Sequence, residues 1–249
     1  MQNTNILITG SSGQLGSQFK LSENASTDNF FYTSRLDLDI TNYIQLIDFV
    51  TRNNIDIIIN CAAYTKVDQA EESHFDAYNI NKDGCKNLAE ISSLLEVIII
   101  HISTDFVFDS PDQIFLDEES STNPVSVYGQ SKLAGENEFF KKSSSKFIII
   151  RSGWLYSLHG KNFLNTIVKL LNTKNSIKVI SDQFGTPTNC EDLTNAIFNI
   201  IEHKNFEHFA KKKSLYHFSN SGFCSWFDFA LEIKKGININ CNVLPIKTS

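Results

Sequence analysis

The sequence predicts an α/β fold: a doubly wound parallel sheet with a smaller lobe beside it. Two observations carry this. Short apolar, β-branched runs recur along the chain, and several are almost continuous, as in Ile6-Leu7-Ile8, Ile57-Ile58-Ile59 and Val97-Ile98-Ile99-Ile100. A strand reads this way when both its faces are covered, which is the situation of a parallel sheet between two layers of helices. Segments with helical rhythm lie between the runs, and strands alternating with helices point to that architecture.

Taken in order, the strand candidates span 5–9, 30–33, 56–60, 97–103 and 146–151, with weaker ones at 177–180 and 215–218. Residues 42–52 carry Ile44, Leu46, Ile47 and Val50 at helical steps, and 82–95 carry Cys85, Leu88, Ala89, Ile91 and Leu95 in a similar rhythm. After Arg151 the pattern loosens. Gly153-Trp154-Leu155-Tyr156 and the stretch DQFGTPT at 182–188 read as loops bearing aromatic and polar groups. The expectation is a larger unit over 1–151, joined by part of 177–205, and a lobe made mainly of 152–249. A cleft between them would sit at the carboxyl ends of the strands.

Composition narrows the class. With 249 residues the chain has length for one domain or two and can bury a core without disulfides or metals. Hydrophobic residues at 41% and charged residues at 20% exclude a disordered chain, and 11 Gly with 4 Pro exclude a low-complexity one. The net charge of −6 gives no electrostatic footprint for nucleic acid or an anionic membrane. No apolar run approaches the roughly 18 residues of a membrane span. The start, Met1-Gln2-Asn3-Thr4-Asn5, has neither a basic region nor a signal core, so the expected compartment is the cytoplasm. Cys61, Cys85, Cys190, Cys224 and Cys241 are odd in number, widely spaced and without C-x-x-C, which suits reduced thiols. No Cys/His cluster or H-E-x-x-H suggests a metal. Asn24-Ala25-Ser26 matches a glycosylation acceptor by chance, and Lys211-Lys212-Lys213 reads as a solvated loop.

The first strand ends in Thr9-Gly10-Ser11-Ser12-Gly13-Gln14-Leu15-Gly16, a G-x-x-G-x-x-G pattern. Gly10 suits the tight turn, Gly13 lets backbone approach a pyrophosphate, and Gly16 lets the helix lie close on the sheet. The helix N-terminus then offers N–H groups and a positive dipole end to phosphates. A plain Gly-rich turn is the competing reading; the placement between strand and helix favours a dinucleotide, hence a Rossmann-like fold. At the end of the second strand, Ser34-Arg35 stands where an acid would bind the ribose of NAD. An Arg there accommodates a 2′-phosphate, so NADP(H) is favoured over NAD(H). Arg35 as a mere surface charge is the bland alternative.

The fourth strand ends in Ser103-Thr104-Asp105, and Tyr128-Gly129-Gln130-Ser131-Lys132 follows. Tyr128 and Lys132, four apart, share one helix face. A nearby ammonium is expected to lower the phenol pKa, and a strand-end hydroxyl to share a hydrogen bond with a substrate carbonyl: a proton-delivery unit for carbonyl reduction. Tyr78 and Lys82 have the same spacing but no Ser/Thr strand end before them, so Tyr78 is read as helix packing. Ser103 and Thr104 point to opposite faces, so only one faces the cleft. Small residues at Asn60-Cys61-Ala62-Ala63 leave room for a cofactor, or simply allow tight packing. Trp154 could stack on a base or sugar, or fill the lobe junction.

These motifs resemble the extended short-chain dehydrogenases/reductases and, within them, the dTDP-4-dehydrorhamnose reductases. The similarity runs along nearly the whole chain: the glycine turn, Leu38-Asp39-Ile40-Thr41, NCAAYTKVDQAEE at 60–72, STDFVFD at 103–109, YGQSKLAGE at 128–136, RSGWLYS at 151–157 and DQFGTPT at 182–188. The resemblance implies NADPH-dependent reduction of the 4-keto group of dTDP-4-dehydro-β-L-rhamnose. Thr104 would orient the keto oxygen, Tyr128 would donate the proton, and Lys132 would hold the cofactor ribose. It further implies cofactor contacts at Gly10, Ser12, Gly13, Gln14, Leu15, Gly16, Arg35, Asp39, Ile40, Ala62, Ala63 and Tyr64. Sugar-nucleotide contacts are implied at Val67, Thr104, Asp105, Trp154 and Asn162, and a homodimer by analogy with the superfamily. The competing functions are an NADP-binding regulatory subunit resembling the methionine adenosyltransferase β subunit, or another keto-sugar-nucleotide reductase or epimerase. Members of the family usually continue past the equivalent of 244–249 with the pattern P-T-P-A-x-R-P-x-x-S and closing helices. The expectation is therefore a complete nucleotide-binding half and a short substrate half.

Overall fold

The computed structural model describes residues 3–22, 28–108, 115–237 and 239–248. Its strands are β1 Asn5–Thr9, β2 Asn29–Thr33, β3 Ile57–Asn60, β4 Ile98–Thr104, β5 Lys146–Ser152, β6 Leu155–Tyr156, β7 Ser176–Ile180, β8 Phe184–Gly185, β9 Thr188–Asn189, β10 Ser214–His217, β11 Cys224–Ser225 and β12 Asn242–Ile246. Six of them form one sheet in the order β2-β1-β3-β4-β5-β10, every pair parallel. The chain runs from β1 out to β2, then returns to β3 on the other side of β1. That reversal opens a crevice at the carboxyl ends of β1 and β3, the place where open α/β sheets bind ligands.

Helices cover both faces. On one lie α1 (Gln14–Ser22), α8 (Cys190–Glu202) and α9 (Phe206–Lys211), closing over Ile6, Ile8, Ile59 and Ile100. On the other lie α2 (Tyr43–Arg52), α5 (Gly84–Leu95) and α6 (Val127–Lys141), closing over Leu7, Ile58, Ile99 and Ile149. Neighbours in one apolar run thus serve opposite cores, which is why these strands read as continuous rather than alternating.

The helix expected over 82–95 proves longer and is interrupted. The short α3 (Val67–Ala70) precedes α4 (His74–Tyr78), then a π-helical turn at Asn79–Asp83 leads straight into α5. The wide turn pushes the Asn81 carbonyl toward α6, where a Cβ on Gly135 would lie 2.0 Å from it. Such bulges gather at functional sites.

A third apolar cluster joins α7 (Phe163–Thr173), α10 (Trp226–Ile237) and the parallel pair β7–β12 through Ile167, Leu171, Ile177, Val179, Ala230 and Ile233. β12 escapes sequence reading because Pro245 lies within it; a proline fits a strand only at an edge. The sheet unit draws on residues 190–217 as well as 5–152, since α8, α9 and β10 all belong to it. Its contribution from the later chain is therefore wider than part of 177–205.

All five cysteines are free. Among the described residues there is no His/Cys/Asp/Glu group able to hold a metal ion, and no helix is long and apolar enough to cross a membrane. Asn24-Ala25-Ser26 and Asp109 lie outside the described residues. In the lysine run, Lys211 ends α9 while Lys213 donates to the Lys142 carbonyl at 2.7 Å, so the run is partly anchored.

Candidate active site

A cleft of about 680 Å³ follows the carboxyl ends of β1, β3, β4 and β5, from Arg35 at one end to Trp154 at the other. Its floor begins at the glycine turn. Gly10 has φ +64°, and a Cβ there would lie 2.7 Å from the Ala62 backbone, so only glycine allows this approach of β1 to β3. The Gly13 amide donates to the Gly10 carbonyl at 2.9 Å, and α1 starts at the next residue. Gly13, Gln14, Leu15 and Gly16 all line the cleft at that helix N-terminus, as do Gly10 and Ser12.

Further along, Asp39, Ile40, Ala62, Ala63, Tyr64 and Val67 line the same cleft. Arg35 is exposed, and its Nε lies 3.2 Å from Asp39 Oδ2. Asp39 also accepts from the Thr41 amide and hydroxyl at 2.9 and 2.8 Å. The turn with Gly10 and Gly13 at its two ends, the helix N-terminus beyond it and the length of the cleft fit an extended dinucleotide. Tyr78 packs against the cluster of Ala70, Ala77, Val127 and Tyr128 rather than lining the cleft.

Thr104, Asp105 and Tyr128 converge on one wall. Ser126 caps α6 by accepting from the Gly129 amide at 3.1 Å, and Glu71 accepts from the Val127 amide at 2.9 Å, so the helix start that carries Tyr128 is fixed from two sides. The Thr104 hydroxyl donates to Asp105 Oδ1 at 3.1 Å and accepts from the Phe106 amide at 3.2 Å. Ser103 is committed elsewhere: its hydroxyl donates to Glu136 at 2.5 Å. Phe106 meets the Tyr128 ring edge-on at 5.5 Å. Gly153 faces Asp105 so closely that a Cβ there would lie 2.0 Å from Oδ2. Burial raises the Asp105 carboxyl to about 6, against the Thr104 hydrogen bond.

One expectation needs correction. Lys132 does not lower the Tyr128 phenol here. Burial pushes that phenol up to about 12, with a Thr104 hydrogen bond opposing and the Asp105 charge adding to the rise. Lys132 is itself buried and takes the nearest acceptors at the end of β4: its Nζ donates to the Ile102 carbonyl at 2.7 Å and lies 3.3 Å from His101 Nε2. Tyr128 is therefore a neutral O–H donor at neutral pH.

The other wall differs from expectation at two residues. Trp154, at φ +50°, lies flat on Trp226 with ring centroids 3.3 Å apart and planes at 1°. One indole face is thus covered by protein, although the residue does border the cleft. Asn162 does not line the cleft at all. It caps α7 by accepting from the Asn165 amide at 2.9 Å and donates to Ser157 O at 2.8 Å and Gln14 Oε1 at 3.1 Å. Gln14 in turn donates to the Leu155 carbonyl at 3.1 Å, tying the glycine turn to the opposite wall.

Sequence reasoning passed over Asn81, His101, Glu136, Arg151 and Trp226. Asn81, on the π turn, accepts from the Tyr64 amide at 2.8 Å and donates to its carbonyl at 3.1 Å and to Ser131 Oγ at 2.9 Å, so it shapes the cleft edge. Arg151 forks onto Glu136 through Nε and Nη2 at 3.0 and 2.7 Å, the pair almost wholly buried. The available signal was a polar residue inside an apolar strand, since buried polar groups require partners.

A glycine turn at a switch point, with a hydroxyl, a tyrosine and a lysine gathered at the fourth strand, defines the extended short-chain dehydrogenase/reductase class. More narrowly, the chain belongs to the family described as RmlD substrate binding domain, whose sequence profile matches residues 4–249. A dTDP-4-dehydrorhamnose reductase of Aggregatibacter actinomycetemcomitans is 36% identical over 229 residues, covering 92% of this chain and 77% of that protein. One from Sinorhizobium fredii is 34% identical over 225 residues, covering 90% and 75%. The crystal structure of dTDP-4-dehydrorhamnose reductase from Bacillus anthracis in complex with NADP superposes with TM-score 0.92 at 38% identity, covering 99% of this chain and 85% of that one. A counterpart from Clostridium acetobutylicum gives 0.91 at 38% identity, covering 98% and 84%.

Proposed function

We propose that the protein is an NADPH-dependent oxidoreductase that reduces the 4-keto group of dTDP-4-dehydro-β-L-rhamnose to dTDP-β-L-rhamnose, a step of deoxysugar-nucleotide biosynthesis. The convergence of Thr104, Asp105 and Tyr128 on a cleft that begins at the glycine turn, in a chain of this family, carries the reading. Gly10, Gly13 and the start of α1 would hold the cofactor pyrophosphate, and Ala62, Ala63, Tyr64 and Lys132 its nicotinamide side. When bound, the reduced nicotinamide supplies the hydride. Thr104 orients the keto oxygen. Tyr128, neutral in its buried setting, donates its proton to that oxygen as negative charge develops on it. Lys132, one turn further along the same helix face, keeps its remaining proton for the cofactor ribose. Val67 and the exposed edge of Trp154 flank the sugar nucleotide.

The preference for NADPH rests on Arg35. Its exposed ion pair with Asp39 is worth about 1 kcal/mol at most, so a 2′-phosphate can displace the carboxylate. Arg35→Ala should raise the KM for NADPH about tenfold and leave that for NADH unchanged; a preference indifferent to this change removes the argument. Residues 1–151 with 190–217 serve as the nucleotide-binding half and most of the remainder as the substrate half. The free thiols suit a reducing compartment such as the cytoplasm. A homodimer is expected by analogy and is checked by light scattering.

The decisive assay follows NADPH oxidation with dTDP-4-dehydrorhamnose. Tyr128→Phe should lower kcat by about 10²- to 10⁴-fold while NADPH still binds. Undiminished turnover by that variant would overturn the mechanism. Tight NADP binding without turnover by the unaltered chain would favour a regulatory subunit.

A further inference from the structure

His101 lies at the centre of β4 among isoleucines and is fully buried. Sheet register sets it beside Asn60 of β3, and Asn60 beside Thr9 of β1. The three polar side chains therefore form a row across adjacent strands. The Thr9 hydroxyl donates to Asn60 Oδ1 at 2.7 Å, Asn60 Nδ2 lies 2.9 Å from His101 Nδ1, and His101 Nε2 lies 3.3 Å from Lys132 Nζ. None of the four is more than 2% exposed. The Cys85 thiol and the Phe139 ring close round the imidazole. A row of buried polar groups that ends on the lysine of the cleft does more than fill space.

We propose that His101 is the positioning residue of Lys132, its Nε2 lone pair fixing the lysine Nζ at the end of β4 and Asn60 fixing the tautomer that provides the lone pair. This rests on the reductase reading only for what Lys132 does in the cleft. An ammonium has three protons to give and no acceptor. Lys132 gives one to the Ile102 carbonyl and one to His101 Nε2, leaving the third for the cleft that it lines. The imidazole is neutral, because burial and the Lys132 charge both hold its proton affinity well below the ordinary value. Its single N–H must then sit on Nδ1 and point at Asn60. The two ends of a side-chain amide are nearly isosteric, so Asn60, turned end for end from the orientation given above, meets Nδ1–H with its oxygen and donates from its nitrogen to Thr9 Oγ1 without moving the row.

The test uses the whole chain labelled with 15N-histidine. At neutral pH, His101 should show a protonated Nδ1 and an unprotonated Nε2; a protonated Nε2 overturns the proposal. Two variants separate positioning from structure. His101→Gln can place an amide oxygen where Nε2 was, whereas His101→Asn reaches only the Nδ1 position. His101→Asn should raise the Kd for NADP+, read by tryptophan fluorescence, about tenfold, and lower kcat about a hundredfold. The KM for the sugar nucleotide should stay put, and His101→Gln should restore most of both losses. Equal losses in the two variants, or losses that follow their melting temperatures, overturn it. If the unaltered chain binds NADP+ yet leaves the sugar nucleotide unreduced, the reductase reading fails while the 15N spectrum and the NADP+ titration still decide the role of His101.

Discussion

The two walls of the cleft are made in different ways. The wall of β1, β3, β4, β5 and α6 keeps its polar groups inside: Thr9, Asn60, His101, Ser103, Lys132, Glu136 and Arg151 are all buried, and each touches another across an element boundary. On the facing side, Trp154, Leu155, Gly160 and Lys161 line the cleft from β6 and the turns that precede α7. Trp154 and Gly160 hold positive φ, Leu158 and Phe184 are exposed, and much of the order comes from Gln14, Asn162 and one pair of stacked indoles. Chemistry that tolerates little displacement sits on regular elements with crossed hydrogen bonds. Under the proposed function, recognition, which must admit and release a large molecule, would fall to segments that cost less to rearrange.

Three perturbations bear on that contrast, and the largest strikes the rigid wall. Glu136→Ala leaves the Arg151 guanidinium buried without its carboxylate, with Nη1 already lacking a partner. The expected loss in urea denaturation is about 3–5 kcal/mol; a loss below about 1 kcal/mol would mean that the wall is not held by this pair. A smaller effect appears with pH at the boundary between the walls. Asp105 is raised from 3.8 to about 6, so its ionisation is costlier in the folded chain than in the unfolded one. The penalty is absent below the unfolded value and complete above the folded one, so this group makes stability fall as pH rises between them. Melting curves across that window should show the fall, and Asp105→Asn should flatten it; parallel curves would contradict the assignment. The smallest effect belongs to the loop wall. Gln14→Ala removes one donor and one acceptor at partly exposed sites, with an expected cost of about 1 kcal/mol. A cost equal to that of Glu136→Ala would erase the distinction.

Much of the rigid wall was legible because its physics is local. Apolar runs mark strands buried on both faces; the glycine turn is read from its place between strand and helix, and Tyr128 with Lys132 from following the Ser103-Thr104 strand end, since Tyr78 and Lys82 share the spacing. What escaped depends on distant partners. The π turn at Asn79–Asp83 faces Gly135 on another helix, and no property of 79–83 announces it. Lys132 meets His101 and a backbone carbonyl on β4, and the acidity of Tyr128 is set by burial, Thr104 and Asp105. The loop wall was read least well. β6, β8, β9 and β11 have two residues each, too short for any periodicity. Asn162 and Gln14 are far apart in sequence and meet only in the fold.

The sixth strand of the sheet comes late: β10 pairs with β5 only after the chain has built α7, β7 and α8. During synthesis β5 therefore emerges long before its neighbour. Until residues 214–217 leave the ribosome, the nascent sheet shows an open edge of isoleucines, Ile148 to Ile150, to any other chain. Exposed strand edges of this kind are where misassembly starts. The wide sequence separation of this last pairing makes closing the sheet a slow, non-local step. The order in which the chain is made thus sets the interval during which it is most prone to aggregate.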